Sequence, residues 1–201
     1  MRAPKRGRYH HGDLPAALIA TAIEVIDERG VHGFSLAEAS RRLGVAPSAP
    51  YAHFADRDDL LAAVAAHALE LFQRKLQQAL RQAATPQERL AVFVRTYVLF
   101  AATHKTLFQG LVQMDLDKNR YPDLEAAERA IDESFRSSVR AVSPGRPPTA
   151  EETLAAAIEA VAHGHATLLL DGRFGRGKRA VESAAESAAR SALAVAEGWK
   201  P

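Results

Sequence analysis

The 201-residue chain has no cysteine, two methionines and one tryptophan, and aromatic residues make up only 6% of it. Without cysteine there is no disulfide scaffold, no Cys-ligated zinc finger and no thiol nucleophile, and the composition fits a reducing cytoplasm. Period-2 alternation of apolar and polar residues is missing, so strands are not expected. No apolar run reaches the length of a membrane span, and the N-terminus lacks the apolar core of a signal peptide. Metal-ligand clusters, phosphate loops and nucleophile arrangements are missing too; Gly175-x-Gly177-Lys178 lacks the Walker spacing. Neither catalysis, nor a cofactor, nor a metal, nor a membrane partner is therefore expected.

What the chain has in abundance is alanine, about a fifth of all residues, which favours helix. The expectation is an all-α protein. Residues 13–29 carry an apolar stripe of Leu18, Ile19, Ala22, Ile23 and Ile26, closed by Gly30. Ser35 caps a short helix over 36–43 whose inner face is Leu36, Ala39 and Leu43, and Gly44-Val45 breaks it. A third short helix is expected at 47–53. Three helices within some 40 residues, with a glycine turn between the last two, form a helix-turn-helix unit. A long helix follows over 57–83, with Leu60, Leu61, Val64, Ala68, Phe72, Leu76 and Leu80 inward. Thr85-Pro86-Gln87-Glu88 is a capping box that opens the next helix. Further helices are expected over 104–114, from Tyr121-Pro122-Asp123, from a second capping box at Thr149–Glu152 through Leu170, and over 179–198. Three segments result: an arm (1–12), a helix-turn-helix domain (13–57) and a helical regulatory domain (58–201).

The net charge of +2 is unevenly placed. Arg2, Lys5, Arg6 and Arg8 give the arm +4 with no acid, residues 13–57 carry −2, and the remainder balances to zero. A basic arm ahead of a helix-turn-helix is a candidate contact to nucleic acid.

Residues 9–61 are more specific than composition. Gly30, then Gly33-Phe34-Ser35-Leu36, then Ala39, Arg42-Leu43-Gly44-Val45, then Tyr51, His53-Phe54, Arg57 and Leu60-Leu61 stand in one ungapped order. This stretch resembles the DNA-binding domain of the TetR family of bacterial transcriptional regulators. A recognition helix seats one face on its partners, here through Val45 and Phe54, while its N-terminal part enters a major groove. Pro47, Ser48, Ala49 and Ala52 are small enough to approach base edges and thymine methyls. The resemblance implies that Tyr51 and His53 reach the sugar-phosphate backbone and that Arg57 pairs with a phosphate. It places Ser35 at another phosphate, with Arg41 or Arg42 adding a cationic contact, and Lys5, Arg6 and Arg8 contribute from the arm. Two positions depart from the family pattern. Pro50 stands where an aliphatic residue is common, and Ala52 replaces a long polar one, reducing readout there to methyl contacts.

The C-terminal part resembles the same family by arrangement. His163-Gly164-x-Ala166-x-Leu168 through Asp171-Gly172 is similar to the ligand-binding half of the WHG-type branch, although the tryptophan of that name is absent. Candidate lining residues for a partly apolar effector are Phe72, Phe93, Tyr97, Phe100, Phe108, Met114, Tyr121, Phe135, His163 and His165; each is equally explicable as core. His163 and His165 lie about 200° apart around a helix, so a metal site using both is not expected. Small residues on the last two helices (Ala155, Ile158, Ala162, Leu169, Val181, Ala185, Ala188, Ala192 and Val195) permit close helix approach. By the resemblance these last two helices are the expected homodimer interface, pairing into a four-helix bundle; packing within one chain explains the same pattern. The implied function is a cytoplasmic, ligand-responsive regulator, a homodimeric repressor on a palindromic double-stranded DNA operator. An activator of the same fold, or a helical ligand-binding module without DNA binding, remains the alternative.

Overall fold

The computed structural model describes residues 13–113, 116–117 and 120–198; the arm residues Lys5, Arg6 and Arg8, and Met114, lie outside the described residues. Among the described residues there is no strand. The described residues form eight α-helices: α1 (Leu14–Arg29), α2 (Leu36–Leu43), α3 (Arg57–Leu80), α4 (Pro86–Thr103), α5 (Lys105–Gln113), α6 (Pro122–Val142), α7 (Pro148–Leu170) and α8 (Lys178–Gly198). Single 3₁₀ turns stand at Val31–Gly33 and Ala49–Ala52. Two compact units divide between Val64 and Ala65, within α3.

In the N-terminal unit, Asp13 caps α1 by accepting from the Ala16 amide, and Ser35 caps α2 by accepting from Glu38. The buried face of α1 is Leu18, Thr21, Ala22, Val25 and Ile26. Ile19 and Ile23, expected inside, are only half-buried, so the stripe is rotated toward Val25. Gly44 ends α2 at φ +68°, a left-handed conformation that a side chain would strain. The helix expected over 47–53 is instead the one 3₁₀ turn at Ala49–Ala52. Pro50 explains this. Pro50 has no amide to donate, and the turn is closed by the i→i−3 bonds Tyr51 N to Ser48 O (3.2 Å) and His53 N to Pro50 O (2.9 Å), with a single bond of α-helical span, Phe54 N to Pro50 O (2.9 Å), at its end.

In the C-terminal unit α4 packs against α5, α6, α7 and α8. Its start is the predicted capping box, with Thr85 accepting from the Glu88 amide and the Glu88 carboxylate accepting from the Thr85 amide. The second capping box does not form. α7 begins earlier, at Pro148, and Thr149 lies inside it with its carbonyl accepting from the Thr153 hydroxyl. By length and composition α7 is apolar enough to cross a membrane, contrary to the expectation that no stretch would be. It packs on α4 and α8 through one side, where Leu154, Ile158 and Ala166 are fully buried.

Candidate DNA-binding surface and ligand cavity

The turn at Ala49–Ala52 has two sides. Pro50 and Phe54 are buried and the turn packs on α1 and α2, which makes Pro50, read from sequence as a departure, the seat of the element. Val45, the expected second anchor, is only half-buried. Pro47, Ser48, Ala52 and His53 face solvent, Ala49 is half-buried, and Tyr51 is 60% exposed. An aromatic side chain held that far out on a rigid turn gains little from folding.

The cations nearby are differently disposed. Glu38 takes Arg41 Nε at 2.9 Å and Nη2 at 2.8 Å, and also takes Arg42 Nε at 3.0 Å. Arg42 extends to Glu28 of α1, with Nη1 at 2.9 Å, and so fastens α2 to α1. Hydrogen bonds from Arg41 and then Arg42 hold the Glu38 carboxyl at about 2, far below the ordinary carboxylate value. Arg41 remains largely exposed, at 68% of its side chain, whereas Arg42 is mostly covered. Ser35 uses a hydroxyl lone pair for capping, which leaves its O–H able to donate outward.

Arg57, expected at a phosphate, is engaged within its own chain. Its Nη2 donates to the Val31 carbonyl at 2.7 Å, its Nε to Phe34 at 3.2 Å, and its Nη1 to Asp58 at 3.3 Å. The first turn of α3 also carries Asp58 and Asp59, and Asp56 accepts from the Asp59 amide at 2.8 Å. Three carboxylates stand around this helix start, and the guanidinium is engaged within the chain. Arg57 is therefore a brace for the α1–α2 connection.

In the C-terminal unit a cavity of about 180 Å³ is lined by Leu69 of α3, Phe93 and Tyr97 of α4, Glu128, Ile131, Asp132 and Phe135 of α6, and Glu159 and Ala162 of α7. Of the predicted lining residues it thus takes Phe93, Tyr97 and Phe135. Phe72 lies edge-on to Phe93, Tyr97 and Phe100 as packing behind that wall. Phe108 contacts Tyr97 and His163, and Tyr121 is buried at the start of α6 beneath the Arg120 guanidinium. His163 supports the cavity from one residue away, its Nδ1 lying 3.1 Å from the Tyr97 hydroxyl. His165 faces elsewhere, stacked on Phe174 with Nδ1 2.8 Å from the Val161 carbonyl. The residues that sequence reading missed as lining are Leu69, Ile131, Ala162 and the three carboxylates. Glu128, Ile131, Asp132 and Phe135 fall at i, i+3, i+4 and i+7, so acids on an otherwise inward stripe were the available signal.

The small-residue faces of α7 and α8 are consumed within the chain. Ala155, Ile158, Ala162, Leu169, Ala185, Ala188 and Ala192 are all buried against neighbouring helices of this unit, while Val181 and Val195 are half-buried. The other side of α7 stays open: Ala160 and Leu168 are exposed, and a Cβ at Gly164 would meet nothing within 4 Å.

Known proteins match this arrangement in sequence and in fold. Residues 18–64 match the family model described as bacterial regulatory proteins, tetR family, and residues 90–192 match the one described as tetracyclin repressor-like, C-terminal domain. The HTH-type transcriptional regulator BetI of Brucella melitensis is 36% identical over 86 residues, 43% of this chain and 42% of that protein. The chain thus aligns with about two fifths of the length of that relative. A Rhodococcus sp. RHA1 protein of unknown function superimposes with a TM-score of 0.78 at 26% identity, covering 98% of this chain and 100% of that one. A Saccharomonospora viridis protein described as a transcriptional regulator, solved in complex with choline, shares the fold at a TM-score of 0.68 and 17% identity, over 89% of this chain and 94% of its own. With one model covering the helix-turn-helix and the other just over half of the chain, the protein belongs to the TetR family of bacterial regulatory proteins.

Proposed function

We propose that this chain is a homodimeric, ligand-responsive transcriptional repressor of the cytoplasm. The observation that carries the reading is Tyr51, exposed beside Ser48, Ala52 and His53 on a turn that Pro50 and Phe54 fasten into the core. Pro47, Ser48, Ala49 and Ala52 approach base edges, Tyr51, His53 and Ser35 meet the sugar-phosphate backbone, and Arg41 adds charge. Arg42 contributes indirectly by fixing α2 on α1. Lys5, Arg6 and Arg8 add sequence-independent attraction from the arm.

Dimerisation uses the outward side of α7. Only a third of its most apolar stretch is buried within the chain, and Ala160, Gly164 and Leu168 leave room for a second helix. The cavity receives the effector, and the fold of the Saccharomonospora viridis regulator houses a small organic molecule. Leu69 touches that cavity from α3, the helix that begins at Arg57 in the N-terminal unit. Effector and operator favour different dispositions of that helix, so each weakens the binding of the other. Gel retardation with the gene's own upstream DNA tests the reading. Tyr51→Ala abolishes retardation while circular dichroism stays unchanged; full retention by that variant overturns it.

A further inference from the structure

The walls of the C-terminal cavity carry a chemical preference, which rests on the reading of this unit as the effector receptor. Phe93, Tyr97 and Phe135 present rings; Glu128, Asp132 and Glu159 present carboxylates; no lysine, arginine or histidine lines the space. The nearest opposing charge is Arg136, whose Nε lies 3.0 and 2.8 Å from the two oxygens of Asp132. Among the described residues Glu159 forms no ion pair. Burial, and after it the Glu159 charge, push the Tyr97 phenol up to about 12, so Tyr97 is a neutral ring whose hydroxyl is held at His163.

An anion entering this space meets like charge, and a neutral hydrocarbon strips water from carboxylates without replacing it. A cation gains twice, from the negative faces of the rings and from the carboxylates. The volume limits its size: about 180 Å³ is close to the roughly 150 Å³ of an apolar cavity that admits benzene. We propose that this cavity binds a small organic ammonium ion, its alkyl groups against Phe93, Tyr97 and Phe135 and its charge facing Glu159 and Asp132.

Calorimetry on the full chain with three probes of similar shape tests this: tetramethylammonium, tert-butanol and pivalate. Tetramethylammonium binds, and the neutral and anionic probes bind at least about tenfold more weakly. Glu159→Gln, at an exposed position, weakens the cation by about threefold or more and leaves the melting temperature unchanged. Asp132→Asn provides the second variant and lowers cation affinity in the same direction. No binding of tetramethylammonium, equal binding of tert-butanol or pivalate, or unchanged cation affinity in both variants overturns the inference. Retardation of upstream DNA by the same preparation separates the two readings. DNA binding without cation binding removes only the ligand class, whereas cation binding without DNA binding removes the regulator.

Discussion

Arg57 grips Val31: the guanidinium Nη2 donates to the Val31 carbonyl at 2.7 Å, across the turn that joins α1 to α2. With the bond to Phe34, one side chain serves two carbonyls of that turn: the Phe34 carbonyl, and the Val31 carbonyl that also accepts from the Phe34 amide at 3.2 Å. Arg57→Ala leaves the Phe34 carbonyl without that donor and the Val31 carbonyl with only the Phe34 amide, and destabilises the N-terminal unit by about 1–3 kcal/mol, read in urea melts followed by circular dichroism. Salt dependence of operator binding distinguishes this from a phosphate contact. A lost phosphate contact lowers the slope by about 0.9, whereas loss of the brace weakens binding with the slope unchanged.

Glu38 sets a pH dependence of definite sign. Its carboxyl lies at about 2 in the folded chain, against an ordinary 4.5, because Arg41 and Arg42 donate to it. A lowered folded value means the contribution is present above the unfolded value, shrinks below about 4.5 and is gone once the pH passes the folded value. Glu38→Gln therefore has a lower urea midpoint than the parent at pH 7, and the gap narrows from pH 4.5 downward. Midpoints measured at pH 7, 4.5 and 3 check this; a gap that stays constant refutes it. The same substitution frees Arg41 for phosphate and so does not weaken DNA binding at neutral pH.

Helix positions were legible because apolar spacing, Thr85–Glu88 and Gly30 are local signals, and α4 and α8 begin within a residue of expectation. The turn at Ala49–Ala52 was less so. Its exposed residues follow from the resemblance, but a helix there required Pro50 to tolerate an interior position, and Pro50 instead sets a shorter turn and fills the core. The role of Arg57 was not legible, since its acceptors are backbone carbonyls more than twenty residues away that no side-chain pattern announces. The alanine faces of α7 and α8 were expected at a homodimer interface on the strength of the resemblance, because their spacing fits packing within one chain equally well. α4 takes that surface within the chain.

The open side of α7 follows from that result. If Ala160, Gly164 and Leu168 meet a second copy, a bulky charge at Gly164 blocks the approach. The monomer tolerates it, because nothing lies within 4 Å of the position where a Cβ would stand. Gly164→Arg yields a folded monomer in sedimentation velocity, while the parent sediments as a dimer. Gly164→Ala restores most of the dimer, since only volume has changed. Dimeric Gly164→Arg moves the interface to another face.

The basic arm gives the last prediction, and it separates long-range charge from placed contacts. Residues 1–8 hold four cations and no acid, whereas residues 13–57 are net −2. Attraction to a polyanion therefore depends on the arm, together with Arg41, more than on the body of the domain. Removal of residues 1–8 lowers the slope of log affinity against log salt by between about one and four, at roughly 0.9 per phosphate released. Specificity changes little, because the exposed turn around Tyr51 is intact and phosphate contacts carry no base information. Competition between upstream and random DNA at two salt concentrations reads both quantities. An unchanged slope in the truncated chain assigns the electrostatic share to the helix-turn-helix itself, where Arg41 is the leading candidate.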